Sequence, residues 1–190
     1  MEAPAITKEK TMTPNLKMGM VFFLISEAFL FGSLFTTYFY LRSTSPVWPP
    51  GGIRPDNSLA IINTILLLSS SAVIWWAGWS IKKGREKSLA LGLAVTAALA
   101  IAFITITGYE WAHETFRPWT SAYGSIFYTL TGFHALHVFA GLLLMLSLLA
   151  QTLRRRFSPN NYTVVEVGSL YWHFVDFIWI LVFISLFVIR

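Results

Sequence analysis

Five long runs of apolar residues, separated by short polar links, dominate the pattern of this chain. A helix needs about 20 mostly apolar residues to cross the hydrocarbon core of a bilayer. By that rule the pattern predicts five transmembrane helices, over Met18–Leu41, Leu59–Ile81, Ser88–Gly108, Tyr123–Gln151 and Val167–Ile189. The fourth run is longer than a crossing requires, so we expect it to tilt or to extend beyond the membrane. The pattern indicates an all-α integral membrane protein, with a tail over residues 1–17 and one transmembrane domain over residues 18–190.

Basic residues are concentrated between the apolar runs. The amino-terminal tail, the link from Lys82 to Lys87 and the link from Arg154 to Arg156 hold about ten of the fourteen Lys and Arg. Loops rich in Lys and Arg remain in the cytoplasm, so we expect a cytoplasmic amino terminus. An odd number of spans then places the carboxyl terminus on the periplasmic side. Membrane topology therefore accounts for the net charge of +5, and no nucleic-acid partner is expected.

The chain contains no cysteine. This excludes a disulfide, a thiolate-bound iron–sulfur cluster, a covalently attached c-type haem and a dithiolate copper centre on this chain. Histidine or carboxylate ligation remains open, as does the absence of any cofactor.

Three of the apolar runs carry ionisable side chains. Glu27 lies near the middle of the first run, the fourth contains His134 and His137, and the fifth contains His173 and Asp176. A charge at the centre of a bilayer costs about 2.5–3.5 kcal/mol on insertion scales, so such residues usually face a bundle interior and serve a function. For Glu27 two interpretations stay open: a proton-linked site, or a neutral acid hydrogen-bonded to a neighbouring helix.

His134 and His137 are three residues apart and therefore share one side of the fourth helix. Metal pairs on a single helix usually follow His-x-x-x-His or Glu-x-x-His, with further carboxylates on neighbouring helices. At this depth Glu27 would be the one carboxylate available as a further ligand, which is too few for such a site. Hydrogen bonding between helices is therefore favoured over metal binding for this pair.

His173 and Asp176 have the same spacing, and an aspartate can orient a histidine ring and stabilise its cation. A proton relay and a static buried pair both fit, and the static pair is favoured. A haem held by His173 and either His134 or His137 is disfavoured. Bulky aromatic residues crowd these spans, and they more often pack in cores or face lipid than line a cofactor pocket.

A polar group occupies the outer end of the third run, at Glu110, His113, Glu114 and Arg117. Spacings of three and four residues predict a helical extension with ion pairs among these side chains. We expect a solvated face here rather than a catalytic site.

Several segments together resemble subunit III of the haem–copper oxidases, which are terminal respiratory oxidases. They are MVFFLISEAFLFGSLF, WPPGGIRPDNSLAIINTILLLSS, GYEWAHETF, YGSIFYTLTGFHALHVFAG and the stretch that begins at Glu166 and contains HFVDFIW. They stand in the family's order and cover nearly everything from Met18 to the carboxyl terminus. The combination of TGFHALHV with YWHFVDFIW is highly specific.

This resemblance implies an accessory subunit of a proton-pumping cytochrome c oxidase that reduces oxygen to water. Haem and copper are then expected on partner subunits I and II, with no cofactor on this chain. The chain would pack beside subunit I, adjoin subunits II and IV, bind phospholipids and support proton uptake. Many relatives have seven helices, and the five-helix form is typical of bacteria, so the expected location is the bacterial plasma (inner) membrane.

The resemblance also implies roles for particular residues. The buried polar, proton-linked positions would be Glu27, His134, His137, His173 and Asp176. Contacts with lipid headgroups or other subunits are expected at Arg154, Arg155, Arg156 and Glu166. A quinol oxidase subunit III remains an alternative, because the donor is selected by other subunits. A small proton-coupled transporter is less favoured, because the chain has no internal repeat and no proline within its five spans.

Overall fold

The computed structural model describes residues 6–53, 55 and 57–189. Its helices are α1 (Ile6–Thr44), α2 (Asn57–Lys82), α3 (Glu86–His113), α4 (Ala122–Leu153) and α5 (Thr163–Phe183). A short 3-10 turn covers Pro50–Gly52, and a π-helical turn over Ile184–Val188 continues α5. In these ranges five helices are long and apolar enough to cross a membrane, and no β-strand occurs. The prediction of an all-α membrane protein with five spans is confirmed.

The helices extend past the ends of the apolar runs. Helix α1 begins at Ile6 rather than Met18, α3 ends at His113 rather than Gly108, and α5 begins at Thr163 rather than Val167. Hydropathy marks where the hydrocarbon core ends, whereas a helix continues while its backbone remains hydrogen-bonded.

Helices α2 and α3 form a close antiparallel pair. The turn between them contains Gly84, whose φ of 72° is a conformation that other residues rarely adopt. Farther along, a Cβ atom added to Gly92 would lie 2.5 Å from the Cβ of Ala77. The two backbones approach closely because both residues are small, as is usual where membrane helices pack.

Helix α5 packs in the centre of the bundle against α2 and α4. The rings of Trp172 and Trp179 are almost fully buried. Their indole nitrogens donate hydrogen bonds to α2, from Trp172 Nε1 to Ser70 Oγ at 2.9 Å and from Trp179 Nε1 to Thr64 Oγ1 at 3.0 Å. These side chains therefore combine packing with polar contacts that set the rotation of α5.

Helix α1 lies on the outside of the bundle, mainly against α4 and α5. Only 6% of its most apolar stretch is buried within the chain, compared with 56% for α5. At its outer end the Tyr38 hydroxyl is buried and donates a 2.6 Å hydrogen bond to the Ser185 carbonyl in the π-helical turn. One side of α1 is thus attached to the bundle, and the remainder faces outward.

The segment after α3 turns back on the helix end. Arg117 Nη1 donates to the Trp111 carbonyl at 2.9 Å, and the Tyr128 hydroxyl donates to the Phe116 carbonyl at 3.1 Å. The predicted helical extension is confirmed as far as His113, which is exposed together with Arg117. The expectation of a solvated face is wrong for Glu110, because this residue is only 4% exposed. It lies on the side of α3 that packs into the bundle.

Candidate functional site

Glu27 of α1 and His137 of α4 form a close pair. Glu27 Oε2 lies 2.9 Å from His137 Nε2, and the two side chains are 17% and 12% exposed. The other ring nitrogen, Nδ1, lies 2.7 Å from the Phe133 carbonyl, one turn back on α4. A carbonyl oxygen can only accept a hydrogen bond, so Nδ1 must carry a proton.

This tautomer determines what the pair can hold. With Nδ1 protonated, the bond between Nε2 and Oε2 contains one proton, which belongs to a carboxylic acid or to an imidazolium. Either arrangement is electrically neutral overall, which makes it tolerable inside a membrane. The Glu27–His137 pair is therefore a site that shares one proton between two helices.

Helix α5 also contacts this pair. The Tyr171 hydroxyl donates to the His137 carbonyl at 3.0 Å, and the Phe31 ring lies edge-on to the His137 ring, with the ring centroids 5.0 Å apart. Three helices thus meet around His137, while Glu27 remains at the outer boundary of the bundle.

His134 points in a different direction. It is fully buried, its ring centroid lying 5.5 Å from that of Phe103 and 5.0 Å from that of Trp179. Neither ring nitrogen has a hydrogen-bond partner within the described residues. Three residues turn a helix through about 300°, so the two histidines diverge by about 60°. That rotation places His137 against α1 and His134 between α3 and α5.

His173 is held by two serines. Its Nδ1 lies 2.7 Å from Ser71 Oγ on α2, and its Nε2 lies 3.3 Å from Ser169 Oγ on α5. Asp176 is 4% exposed. Its carboxyl group is close to the Ser71 hydroxyl but outside hydrogen-bond geometry, so both oxygens are buried without a hydrogen bond in the described chain. Ser71 thus lies beside both His173 and Asp176, but it hydrogen-bonds only the His173 ring.

The basic end of the bundle is where the α2–α3 and α4–α5 links lie. Glu166 binds two lysines there, with Lys17 Nζ 2.6 Å from Oε2 and Lys82 Nζ 3.2 Å from Oε1. These contacts connect α1, α2 and α5. Three exposed arginines follow α4 at the same end, namely Arg154, Arg155 and Arg156. Their contact with lipid headgroups stays a prediction.

An open pocket of about 490 Å³ lies between α1, α2 and α5 at the basic end. Its polar lining includes Lys17, Lys82, Glu166, Ser169 and His173. The rest of the lining is mostly apolar, with Trp75 and Trp79 the largest side chains.

The five predicted polar positions therefore form three separate groups. Glu27 with His137 is one, His134 alone is the second, and His173 with Asp176 around Ser71 is the third. Within the described residues, no three His, Asp or Glu side chains are arranged to hold a metal ion.

Sequence reasoning did not identify the partners of these groups. Ser169 was recognisable, because it stands three residues after Glu166 and four before His173 on one side of α5. Ser71 and Lys17 carry no comparable signal, because their contacts depend on how α2 and α1 pack against α5.

Comparison with known proteins agrees with this architecture. The family model of cytochrome c oxidase subunit III matches residues 4–189. The cytochrome c oxidase subunit 3 of Thermostichus vulcanus is 37% identical over 173 residues, covering 90% of this chain and 86% of its own. The corresponding figures are 40%, 93% and 77% for the Synechocystis sp. protein over 180 residues, and 35%, 93% and 70% for that of Gallus gallus over 185 residues. The five membrane-spanning helices and the match over nearly the whole length lead to one conclusion: this chain belongs to the cytochrome c oxidase subunit III family.

Proposed function

We propose that this chain is the accessory, non-redox subunit III of a proton-pumping cytochrome c oxidase. In this role it packs beside subunit I, stabilises it and supports its proton uptake. Haem and copper belong to subunits I and II, and subunit IV is a further neighbour. The names of the relatives, all cytochrome c oxidase subunits, support cytochrome c rather than quinol as the electron donor.

The observation that carries this proposal is the position of the Glu27–His137 pair. The pair joins two membrane-spanning helices through a 2.9 Å contact and stands at the outer boundary of the bundle rather than at its centre. A proton-sharing site at a boundary can communicate with a neighbouring subunit, whereas one sealed in the core cannot.

The outward face of α1 supports the same assignment. Large apolar side chains cover it, including Phe22, Phe29 and Tyr40, which are 66%, 77% and 64% exposed. We propose that part of this face packs against subunit I and the remainder contacts phospholipid.

The charge distribution suggests an orientation. Because basic ends remain in the cytoplasm, the end that carries Lys17, Lys82 and the arginines after α4 would face the cytoplasm of a bacterium. In that orientation, Arg154, Arg155 and Arg156 can contact the anionic headgroups of the inner leaflet. Glu166 lies at the same end and binds Lys17 and Lys82.

The test is Glu27→Gln in the assembled oxidase. Glutamine preserves the size of the side chain but cannot share a proton with His137. We expect normal assembly and unchanged haem spectra, with proton uptake or the number of turnovers before inactivation lowered about two- to fivefold, equivalent to roughly 0.4–1 kcal/mol.

Glu86→Gln is the matched control, because it removes a carboxylate on α3 at the basic end, outside the pocket, and leaves the Glu27–His137 pair intact. If Glu27→Gln left both proton uptake and turnover lifetime at their native values, the pair would have a structural role only.

A further inference from the structure

One side of α5 carries a continuous file of polar residues. Glu166, Ser169, His173 and Asp176 follow one another at spacings of three, four and three, which places them on the same side of a helix. Ten residues of helix span about 15 Å. The file therefore runs from the basic end of the bundle to a depth well inside the membrane.

Close contacts connect most of this file. Ser169 Oγ lies 3.3 Å from His173 Nε2, and His173 Nδ1 lies 2.7 Å from Ser71 Oγ. The Ser71 hydroxyl in turn lies close to the buried Asp176 carboxyl, whose oxygens have no hydrogen-bond partner in the described chain. Asp176 is thus a buried acid approached by one short series of groups that can pass protons.

The pocket at the basic end has room for water at the start of this series. A space of about 490 Å³ far exceeds the ~10–15 Å³ that a single water requires. His173 and Ser169 line the pocket directly, and Glu166 with its two lysines lies at the polar end. Polar groups along one wall give water the partners it needs to remain there.

We propose that this file is a proton-exchange path, by which Asp176 gains and loses a proton through His173 and Ser71 with water in the pocket. A hydronium ion gives its proton to His173 Nε2 and becomes water. His173 Nδ1 passes its own proton to Ser71 Oγ, and Ser71, once it moves into hydrogen-bond contact with Asp176, gives its hydroxyl proton to the carboxylate. Reversal of the three steps returns the proton and restores the original tautomer of His173.

This path is distinct from the Glu27–His137 pair, which lies between α1 and α4. It does not depend on the function proposed above, because it concerns proton exchange within this chain. It makes the chain a reversible store for a proton, held on Asp176 well inside the membrane.

Infrared spectroscopy of the intact, detergent-solubilised oxidase complex tests the proposal. The carbonyl stretch of the protonated Asp176 carboxyl is identified by its loss in Asp176→Asn. On transfer to D2O this band should shift rapidly in the native complex. Ser71→Ala, which removes the last relay group, should slow the shift about tenfold or more, a barrier change of roughly 1.4 kcal/mol.

Filling the pocket gives a second test with a matched control. A Cβ atom added at Gly78, which lines the pocket, meets no atom within 4 Å, and the same is true at Gly108 on the exposed side of α3. Gly78→Leu should therefore fill part of the pocket and slow exchange at Asp176, and Gly108→Leu should leave the exchange rate unchanged. If Gly78→Leu prevents assembly, Leu170→Trp narrows the same pocket from α5.

Three results would overturn the proposal. They are an Asp176 band that is absent at every pH, a band that does not respond to D2O, and exchange in Ser71→Ala and the filled pocket at the native rate. Slowing in both variants, with the native rate in Gly108→Leu, is the supporting outcome. The function proposed above is tested by proton uptake in Glu27→Gln, which is a different variant and a different measurement. Either proposal can therefore fail without the other.

Discussion

Helices α1 and α5 have equally apolar spans but are packed very differently. About 6% of the apolar stretch of α1 is buried within the chain, against 56% for α5. Helix α5 contributes Trp172 and Trp179 to the centre of the bundle, whereas α1 presents Phe22 and Phe29 to its surroundings. The two helices therefore differ in role: α5 stabilises the bundle of this chain, whereas the outer face of α1 is available for contact with lipid or another subunit.

The comparison shows what hydropathy measures. In a bilayer an apolar side chain makes equally favourable contacts with lipid and with another helix. Apolar character therefore does not drive helices together as it does in water. Close packing and polar contacts decide which helix becomes central. That is why α5 is distinguished by its indole hydrogen bonds and by small neighbours such as Gly141.

The largest expected difference comes from truncating one aromatic ring on each helix. Trp172→Ala removes a fully buried ring and its hydrogen bond to Ser70, so we expect a loss of about 3–5 kcal/mol in the free energy of unfolding. Phe29→Ala removes an exposed ring and should cost only about 0.5 kcal/mol. Denaturant unfolding of the isolated chain in detergent measures both, and equal losses would remove the distinction between the two helices.

A smaller effect, opposite in sign at the two positions, is expected from adding one methyl group to a glycine of α4 that contacts α5 or to a glycine of α1. A Cβ at Gly141 of α4 would lie 2.7 Å from the Trp172 ring of α5, whereas a Cβ at Gly32 of α1 meets nothing within 4 Å. Gly141→Ala should destabilise the chain by about 1–3 kcal/mol because the site is already filled. Gly32→Ala should stabilise it by about 0.5–1 kcal/mol through helix propensity.

The same pair of variants sharpens the comparison inside the complex. If subunit I covers the face of α1 that contains Gly32, Gly32→Ala should weaken retention of this chain by the oxidase although it stabilises the isolated chain. Unchanged retention, measured by co-purification with subunit I, would place the contact elsewhere on α1.

The smallest effect is expected at the ion pairs that attach α1 at the basic end. Lys17 and Glu166 are 53% and 27% exposed, and such pairs contribute about 0.2–1 kcal/mol. A double-mutant cycle with Lys17→Gln and Glu166→Gln should give a coupling energy in this range that falls as salt is added. Lys87→Gln, on α3, serves as the control. A coupling energy that does not change with salt would contradict a screened surface pair.

The five crossings were predictable because a bilayer imposes a length and a composition on any helix that spans it. The helix ends were less predictable from the sequence, because the helices continue beyond the apolar runs over Ile6–Lys17 and Tyr109–His113. Glu110 shows the limit most clearly. A carboxylate beside polar neighbours suggests a solvated face, but its position around α3 places it inside the bundle.

The candidate residues were also easier to identify than their partners. Glu27 and His137 stand out because ionisable groups are rare in apolar runs, yet their pairing depends on the rotation of α1 against α4. Spacing alone suggested that His134 and His137 act together, and a rotation of about 60° separates them. Ser71 is one hydroxyl among several on α2, and only the packing of α5 reveals its position beside His173 and Asp176.

The outer position of α1 has a consequence for how deeply it sits in the membrane. Apolar contacts with lipid are interchangeable and permit a helix to slide, whereas hydrogen bonds and ion pairs hold at one height. Lys17–Glu166 near one end, Glu27–His137 in the middle and Tyr38–Ser185 near the other provide three such contacts. Together they fix the position of α1 along the membrane normal relative to the other helices. A helix with little buried surface therefore still presents its outer face to a partner at a constant depth.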